Sequence, residues 1–358
     1  MANPKPSKAH QWVYCPGSVA LQEQYPDQRD NSGALDGISA HHRAACLLDG
    51  KPVVPTVLPQ DYIEAVDLYV DHVNQVTGGR ARYVEYPVTA FNVHPNCNGR
   101  LDSAWYDSAA NILHIWDFKT GRSFTDAVEN WAMLCYASGL SAQINFGRVQ
   151  MWIVQSRCFQ DQPVRSWTIN REELKPYQDT LHQAAYKTQL PNAPTMSGPH
   201  CANCSALIYC PSATSATGYA IDVAGSSSGA MTLSPAQLGY RYAILTRAKE
   251  MIDHMAKAAE TGIIQTIKRG EQVPGWEMHQ APGRLKWLPG KEAEAKAMAL
   301  LMGVDITKED FITPTQAITA GIPAEVVEMY AARSGGGTSL KPVDMNKPTL
   351  VKEMFKNA

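Results

Sequence analysis

Residues 37–49 read Gly-Ile-Ser-Ala-His-His-Arg-Ala-Ala-Cys-Leu-Leu-Asp, an Ala-rich, largely unbranched run that favours helix, with Gly50 and Pro52 as its stop. A second helix is predicted over about 60–76, where Ile63, Val66, Val70 and Val73 recur at three- and four-residue steps. The period then changes to two. Residues 81–91, 99–107 and 111–119 alternate as strands do, and Ser108-Ala109-Ala110-Asn111 is a short polar turn between the last two. A helix at about 125–139, a strand at 146–155, a strand near 164–169 and a helix near 171–187 follow. Such an order of helices and strands predicts a mixed α/β layer. Residues 211–230 are small and polar and suit a linker; 234–268 and 290–333 read as mostly helical, and the chain beyond Gly335-Gly336-Gly337 as a loose tail.

The 358 residues suffice for two domains, with Lys plus Arg at 32 against 34 Asp plus Glu and a net charge of −2. This balance excludes a polycation or an acidic disordered chain. No apolar run approaches the ~18–20 residues that cross a bilayer. The opening Met-Ala-Asn-Pro-Lys-Pro-Ser-Lys-Ala-His has no apolar stretch behind it, so a cytoplasmic protein without membrane contact is expected. Of eight cysteines, Cys15, Cys46, Cys97, Cys135 and Cys158 are scattered, whereas Cys201, Cys204 and Cys210 form C-x2-C-x5-C. Three thiols crowded into ten residues point to a metal site rather than to disulfides.

The densest chemistry lies in the hairpin 99–119. Asp117 and Lys119 share one face of a strand. With the turn at 108–111, Asp102 falls opposite Asp117, Ala104 opposite Ile115, and Tyr106 opposite Leu113. Like charges directly opposed are destabilising, so the two acids want a cation between them. A hard divalent ion there, Mg²⁺ or Mn²⁺, would suit phosphodiester hydrolysis with Lys119 beside the attacking water. Asp-x-Lys is also the ordinary signature of a salt-bridged strand edge, and a one-residue slip would turn Asp102 to the other face. His41, with Ala45 and Leu48 on one helical stripe, is either a core histidine or a nitrogen ligand, with His42 turned outward. Glu85, on the preceding strand, is either a further carboxylate or an exposed one.

Taken together, Gly37-x3-His41 on a helix, Gly99-Arg-Leu-Asp102 and Trp116-Asp117-Phe118-Lys119-Thr-Gly121 resemble the PD-(D/E)xK nucleases, and within them the RecB-like branch. The opening Gln11-Trp-Val-Tyr-Cys15-Pro-Gly-Ser18 resembles that of phage-associated RecB-like exonucleases. The resemblance implies a restriction-endonuclease-like α/β fold, a mixed sheet flanked by helices. It implies a metal site of His41, Asp102, Asp117 and the Phe118 carbonyl, with Lys119 catalytic. It implies a DNA nuclease, most simply an exonuclease of phage or prophage recombination, replication or end processing, with a single-strand-annealing recombination protein as a partner. On the helix after the lysine, Tyr136 fits the branch, whereas Ala132 stands where Gln is usual and Asn130 is the nearest amide. In the same branch one N-terminal and three C-terminal cysteines hold a [4Fe–4S] cluster, a layout that Cys15, Cys201, Cys204 and Cys210 match. Zinc, with His10 or His200 replacing a thiolate, is the alternative.

The expected organisation is a nuclease core over 1–212, a linker over 213–232 and a mostly helical region over 233–358. Near-zero net charge requires local positive charge for DNA binding. Arg80, Arg82, Arg100, Lys119 and Arg122 gather around the hairpin in sequence, with Arg148, Arg157 and Arg165 after it; Arg100, Arg122 and Tyr136 are the candidate DNA contacts. Gly275-Trp276 and Gly283-Arg-Leu-Lys-Trp287 suit either a stacking surface or core tryptophans. A second reading is a non-catalytic DNA-binding or assembly module of a recombination complex.

Overall fold

The computed structural model describes residues 3–27, 32–53, 57–158, 161–225, 234–280, 285–288, 290–306, 312–333 and 338–342. The chain divides into two compact units, Met1–Ala259 and Glu260–Ala358.

In the first unit a short 3-10 turn, Pro6–Lys8, leads into α1 (Ala9–Trp12), α2 (Ser18–Gln24), α3 (Ser32–Leu48) and α4 (Gln60–Thr77). Then come β1 (Tyr83–Thr89), β2 (Asn98–Asp107), β3 (Ile112–Phe118), α5 (Trp131–Ser141), β4 (Arg148–Val154), β5 (Val164–Asn170) and α6 (Arg171–Lys187). The strands form one sheet in the order β1-β2-β3-β4-β5. All neighbours are antiparallel except β3 and β4, which run parallel and are joined through α5. A parallel pair needs such a crossover, and α5, buried from Met133 to Ser141, supplies it.

Strand alternation sends residues to two cores. On one face Ala104, Leu113, Ile115 and Met151 pack with α5 and α6; on the other Trp105, Trp116, Phe118 and Val154 pack with Ala40, Ala44 and Leu48 of α3 and Tyr69, Val70 and Val73 of α4. Both helical layers are therefore fixed by period-2 strands meeting period-3.6 helices. α7 (Pro211–Gly225) and α8 (Pro235–Lys268) follow the cysteine motif.

The second unit contains β6 (Trp276–Gln280), β7 (Leu285–Trp287), α9 (Glu292–Leu301), α10 (Pro314–Thr319), α11 (Ala324–Glu328), β8 (Ala331–Arg333) and β9 (Thr338–Pro342). β6 pairs with β9 and β7 with β8, around a small core that includes Ala299, Ile306, Ala317 and Val327. Among the described residues no helix is long and apolar enough to cross a membrane.

Several expectations shift. The stretch 213–232 is helical to Gly225, because its Ala, Ser and Thr residues pack: Ala213 is fully buried and Thr217 Oγ1 donates to Met255 Sδ at 3.0 Å; 226–233 lie outside the described residues. The helix expected from 125 starts at Trp131, since Asn130 caps it by accepting from the N–H groups of Ala132 and Met133. The C-terminal region is helical as expected, with two short strand pairs added beside its helices. Trp287 donates its indole N–H to Ile312 O at 2.8 Å and packs against the core rather than forming a stacking surface, and β9 occupies part of the expected loose tail.

Candidate functional site

The β2–β3 register is the one the turn predicted: Ser103 faces Trp116, Ala104 faces Ile115 and Tyr106 faces Leu113. Extended by one pair, it brings Asp102 towards Asp117. Phe118 N–H donates to Asp102 Oδ2 at 2.6 Å, and Asp102 Oδ1 lies 3.2 Å from His41 Nδ1. Lys119 Nζ lies 2.7 Å from Asp117 Oδ2. The Phe118 ring sits between the His41 ring, 5.0 Å away, and Tyr69, which stacks on it at 4.7 Å and shares a 2.8 Å hydrogen bond with Ser103 Oγ. His41 is therefore at the rim of the buried Ala40–Ala44–Leu48 stripe, half-exposed towards the acids, rather than within it.

Among the described residues, His41, Glu85 and Asp102 are the group whose ligand-type atoms all lie within 4.8 Å of one another. Asp117 stands outside that triad with Lys119. Burial disfavours a charged His41, but the hydrogen bond to Asp102 and the charges of Asp102, Asp117 and Glu85 outweigh it, and its pKa is raised. Burial pushes Asp117 up against the opposing charge of Lys119. It also pushes Glu85 up, aided by the charge of Asp102.

A cleft of about 850 Å³ opens over this group, with Gly37, Tyr62, Arg100, Gly121, Arg122 and Arg157 on its walls. Gly37 explains itself here: a Cβ would sit 2.9 Å from Thr120 Oγ1, so α3 approaches the loop after Lys119 only without a side chain. Arg157 holds the same loop from the other side. Its Nη1 donates to Thr120 O at 2.6 Å, its Nε to Asp61 Oδ2 at 2.9 Å, and its guanidinium lies 3.7 Å over the Tyr62 ring. Arg122 Nη2, mostly exposed, is 3.8 Å from the same Asp61 oxygen.

Of the sequence-predicted basic residues, Arg100, Arg122 and Arg157 line the cleft. Arg82 bonds Thr77 and Leu48 O, Arg80 lies over Trp105 on the α3–α4 side, and Arg165 is buried on Thr125 O, Gln162 O and Gln155. Tyr136 is also placed differently from expectation. It is 6% exposed and its hydroxyl donates to Arg100 O at 2.8 Å, so it props β2 instead of presenting itself to a strand of DNA. Asp61 and Tyr62, the partners of Arg157, carried no local signal, because they meet it only once α4 and the β4–β5 loop are folded against each other.

Cys15, Cys201, Cys204 and Cys210 line one small enclosed pocket with Met196, His200 and Leu207 among its walls. Met196 N–H donates to Cys15 Sγ at 3.3 Å and Gly198 N–H to Cys201 Sγ at 3.4 Å. Burial pushes the thiols of Cys15 and Cys201 up, and that of Cys204 up to about 11. His200 Nε2 is 2.9 Å from Met196 O. Cys97 and Cys135 meet elsewhere, in the core, with sulfurs 3.5 Å apart.

Residues 55–326, about three quarters of the chain, match one family model. The chain belongs to the family described as protein of unknown function (DUF2800). The matched segment takes in Glu85, Asp102, Asp117, Lys119 and the C-x2-C-x5-C motif, while Cys15 and His41 lie ahead of it.

Proposed function

We propose that this DUF2800 protein is a Mg²⁺- or Mn²⁺-dependent DNA nuclease of the PD-(D/E)xK superfamily, RecB-like branch, working as an exonuclease in phage or prophage DNA recombination, replication or end processing. The observation that carries this reading is the approach of the Asp117–Lys119 pair to the His41–Asp102 pair through the Phe118 N–H that Asp102 accepts, with His41 and Asp102 lining a cleft that Arg100 and Arg122 also line. His41, Asp102 and Asp117 with the Phe118 carbonyl would hold the ion, and their oxygen-rich donor set fits it. A bound divalent ion would polarise the phosphoryl oxygen and acidify a water. Burial works against the Lys119 ammonium, but Asp117 and Asp102 outweigh it and raise its pKa, so Lys119 stays charged. Its role is to orient the attacking water and offset charge gathering on phosphorus. Arg100 and Arg122, exposed at the walls, would take flanking phosphates.

In the same reading Cys15, Cys201, Cys204 and Cys210 hold a [4Fe–4S] cluster that closes the fold. An enclosed pocket with four cysteines on its walls and backbone N–H donors at two of the sulfurs fits such a group. One feature favours the second reading, a DNA-binding or assembly module without catalysis. Asn130, the amide nearest the usual Gln position, is occupied as the cap of α5, and Tyr136 is occupied by Arg100 O.

The deciding experiment is a time course with Mn²⁺ on end-labelled linear and closed circular DNA, beside Asp117→Asn and Lys119→Met. Loss of linear DNA alone by the wild type, and by neither variant, supports an exonuclease using these residues. DNA binding without cleavage by the wild type supports the assembly module.

A further inference from the structure

We propose that Glu85 is a ligand of the divalent cation at the His41–Asp102 pair, so that α3, β1 and β2 each contribute one donor. This inference rests on the cation of the nuclease reading and adds to it a carboxylate that the Asp-x(14)-Asp-x-Lys pattern does not contain.

β1 and β2 pair on both sides of Glu85, Val84 with Ser103 and Tyr86 with Leu101, so Glu85 and Asp102 face each other across the two strands. Two carboxylates in that relation repel. An extended backbone at Glu85 would preserve the regular ladder. Instead Glu85 adopts φ +46°, a conformation that non-glycine residues seldom take, and its carboxylate remains within 4.8 Å of the donors of His41 and Asp102. Among the described residues the ion pair at Glu85 is with Arg100, whose Nη1 is 3.9 Å away on a largely exposed side chain, and the imidazoles of His41 and His42 are the other groups that favour its charged form. A contact so long and so hydrated does little to balance the pair. Asp117 differs: it has its own counter-ion in Lys119 at 2.7 Å. Glu85 and Asp102 therefore share one imidazole and a distant guanidinium between them, with no close Lys or Arg among the described residues. Two carboxylates and one nitrogen leave positions open for water and phosphate, and the nitrogen donor favours Mn²⁺ over Mg²⁺.

The test titrates Mn²⁺ into the purified full chain and follows free Mn²⁺ by electron paramagnetic resonance. Wild type, Glu85→Gln, Asp102→Asn and Asp117→Asn are compared, with circular dichroism checking each fold. Binding by the wild type and a loss of about tenfold or more in Glu85→Gln is the result expected. Wild-type affinity in Glu85→Gln, with Asp102→Asn defective, removes Glu85 from the ligands and leaves the nuclease reading standing. No binding by the wild type overturns both. If Glu85→Gln does not fold, the Mn²⁺-loaded wild type decides by anomalous diffraction: an ion within about 2.3 Å of a Glu85 oxygen supports the inference, and one out of reach of that side chain overturns it.

Discussion

The backbone N–H of Phe118 donates to Asp102 Oδ2 at 2.6 Å. The acid on β2 is thus aimed by the main chain of β3, and its other oxygen is left facing His41. Strand register and side-chain direction become one constraint.

Asp102→Asn keeps an acceptor for that N–H but removes the charge. It should fold with a near-native urea midpoint and lose Mn²⁺ binding and cleavage. Asp102→Ala should lose both and also unfold more easily, by about 1–3 kcal/mol, because the Phe118 N–H is left without a partner. Equal midpoints for the two variants would show that this bond contributes nothing.

Arg122 and Arg157 should separate in a salt titration of DNA binding. Arg122 is exposed and loosely held by Asp61, so Arg122→Gln should lower the slope of log K against log salt by about 0.9, the value for one phosphate. Arg157 is committed to Thr120 O, Asp61 and Tyr62, so Arg157→Met should raise KM through a slack loop while leaving the slope unchanged.

Gly99 stands where a Cβ would lie 2.9 Å from Pro6 Cγ and 3.0 Å from both Cε1 and Oη of Tyr136. Gly99→Ala should cost about 1–3 kcal/mol through overpacking. Combining it with Tyr136→Phe, which removes one of the crowded atoms, should cost less than the two changes summed. Strict additivity in urea melts would separate the two sites.

On the α3–α4 face of the sheet, His72 Nδ1 accepts from Trp116 Nε1 at 3.1 Å and His114 Nδ1 accepts from Trp152 Nε1 at 3.2 Å. Burial lowers the pKa of both, with a further lowering of His114 by His72 against the opposing charge of Asp107. The unfolded chain then binds protons that the folded chain refuses. Their contribution to stability is complete above the unfolded histidine value, about 6.5, and is lost as the pH falls below it towards the folded values. Replacing both by Gln, which keeps an acceptor, should flatten the fall in urea stability between about pH 7 and 5. An unchanged slope would place the protons elsewhere.

Protein purified without oxygen should be brown and contain iron and sulfide. Cys→Ser at 15, 201, 204 or 210 should bleach it and lower Tm, and Cys46→Ser should not. Colourless protein with stoichiometric zinc would replace the cluster by the rival metal.

The sheet was legible because its residues sort by twos: the alternation in 99–107 and 111–119, with a four-residue polar turn, is enough to determine the β2–β3 register. Asp102, Asp117 and Lys119 could be placed for the same reason, whereas His41 was read from its helical spacing with Ala45 and Leu48 and from the resemblance. Glu85 could not be resolved from an exposed strand residue, since its positive φ is a local departure that alternation does not encode. Tyr136 entered as a DNA contact through the resemblance alone, whereas α5 is buried from Met133 to Ser141 and its tyrosine hydroxyl is taken up by Arg100 O. The small residues of α7 read as a linker, yet small side chains are also what lets a helix lie close to a neighbour, as Ala213 does.

The chain near its start is tied to the segment around residue 200. Gly17 N–H donates to Pro194 O at 2.9 Å, Ser205 Oγ donates to Tyr25 O at 2.6 Å, and Tyr25 stacks on Tyr209 at 4.1 Å. These are contacts of the polypeptide itself, independent of any bound ion. A protease that nicks a surface loop between them would leave a gapped molecule whose halves travel together until denaturant separates them. An intact elution profile would then say little about whether the backbone is whole.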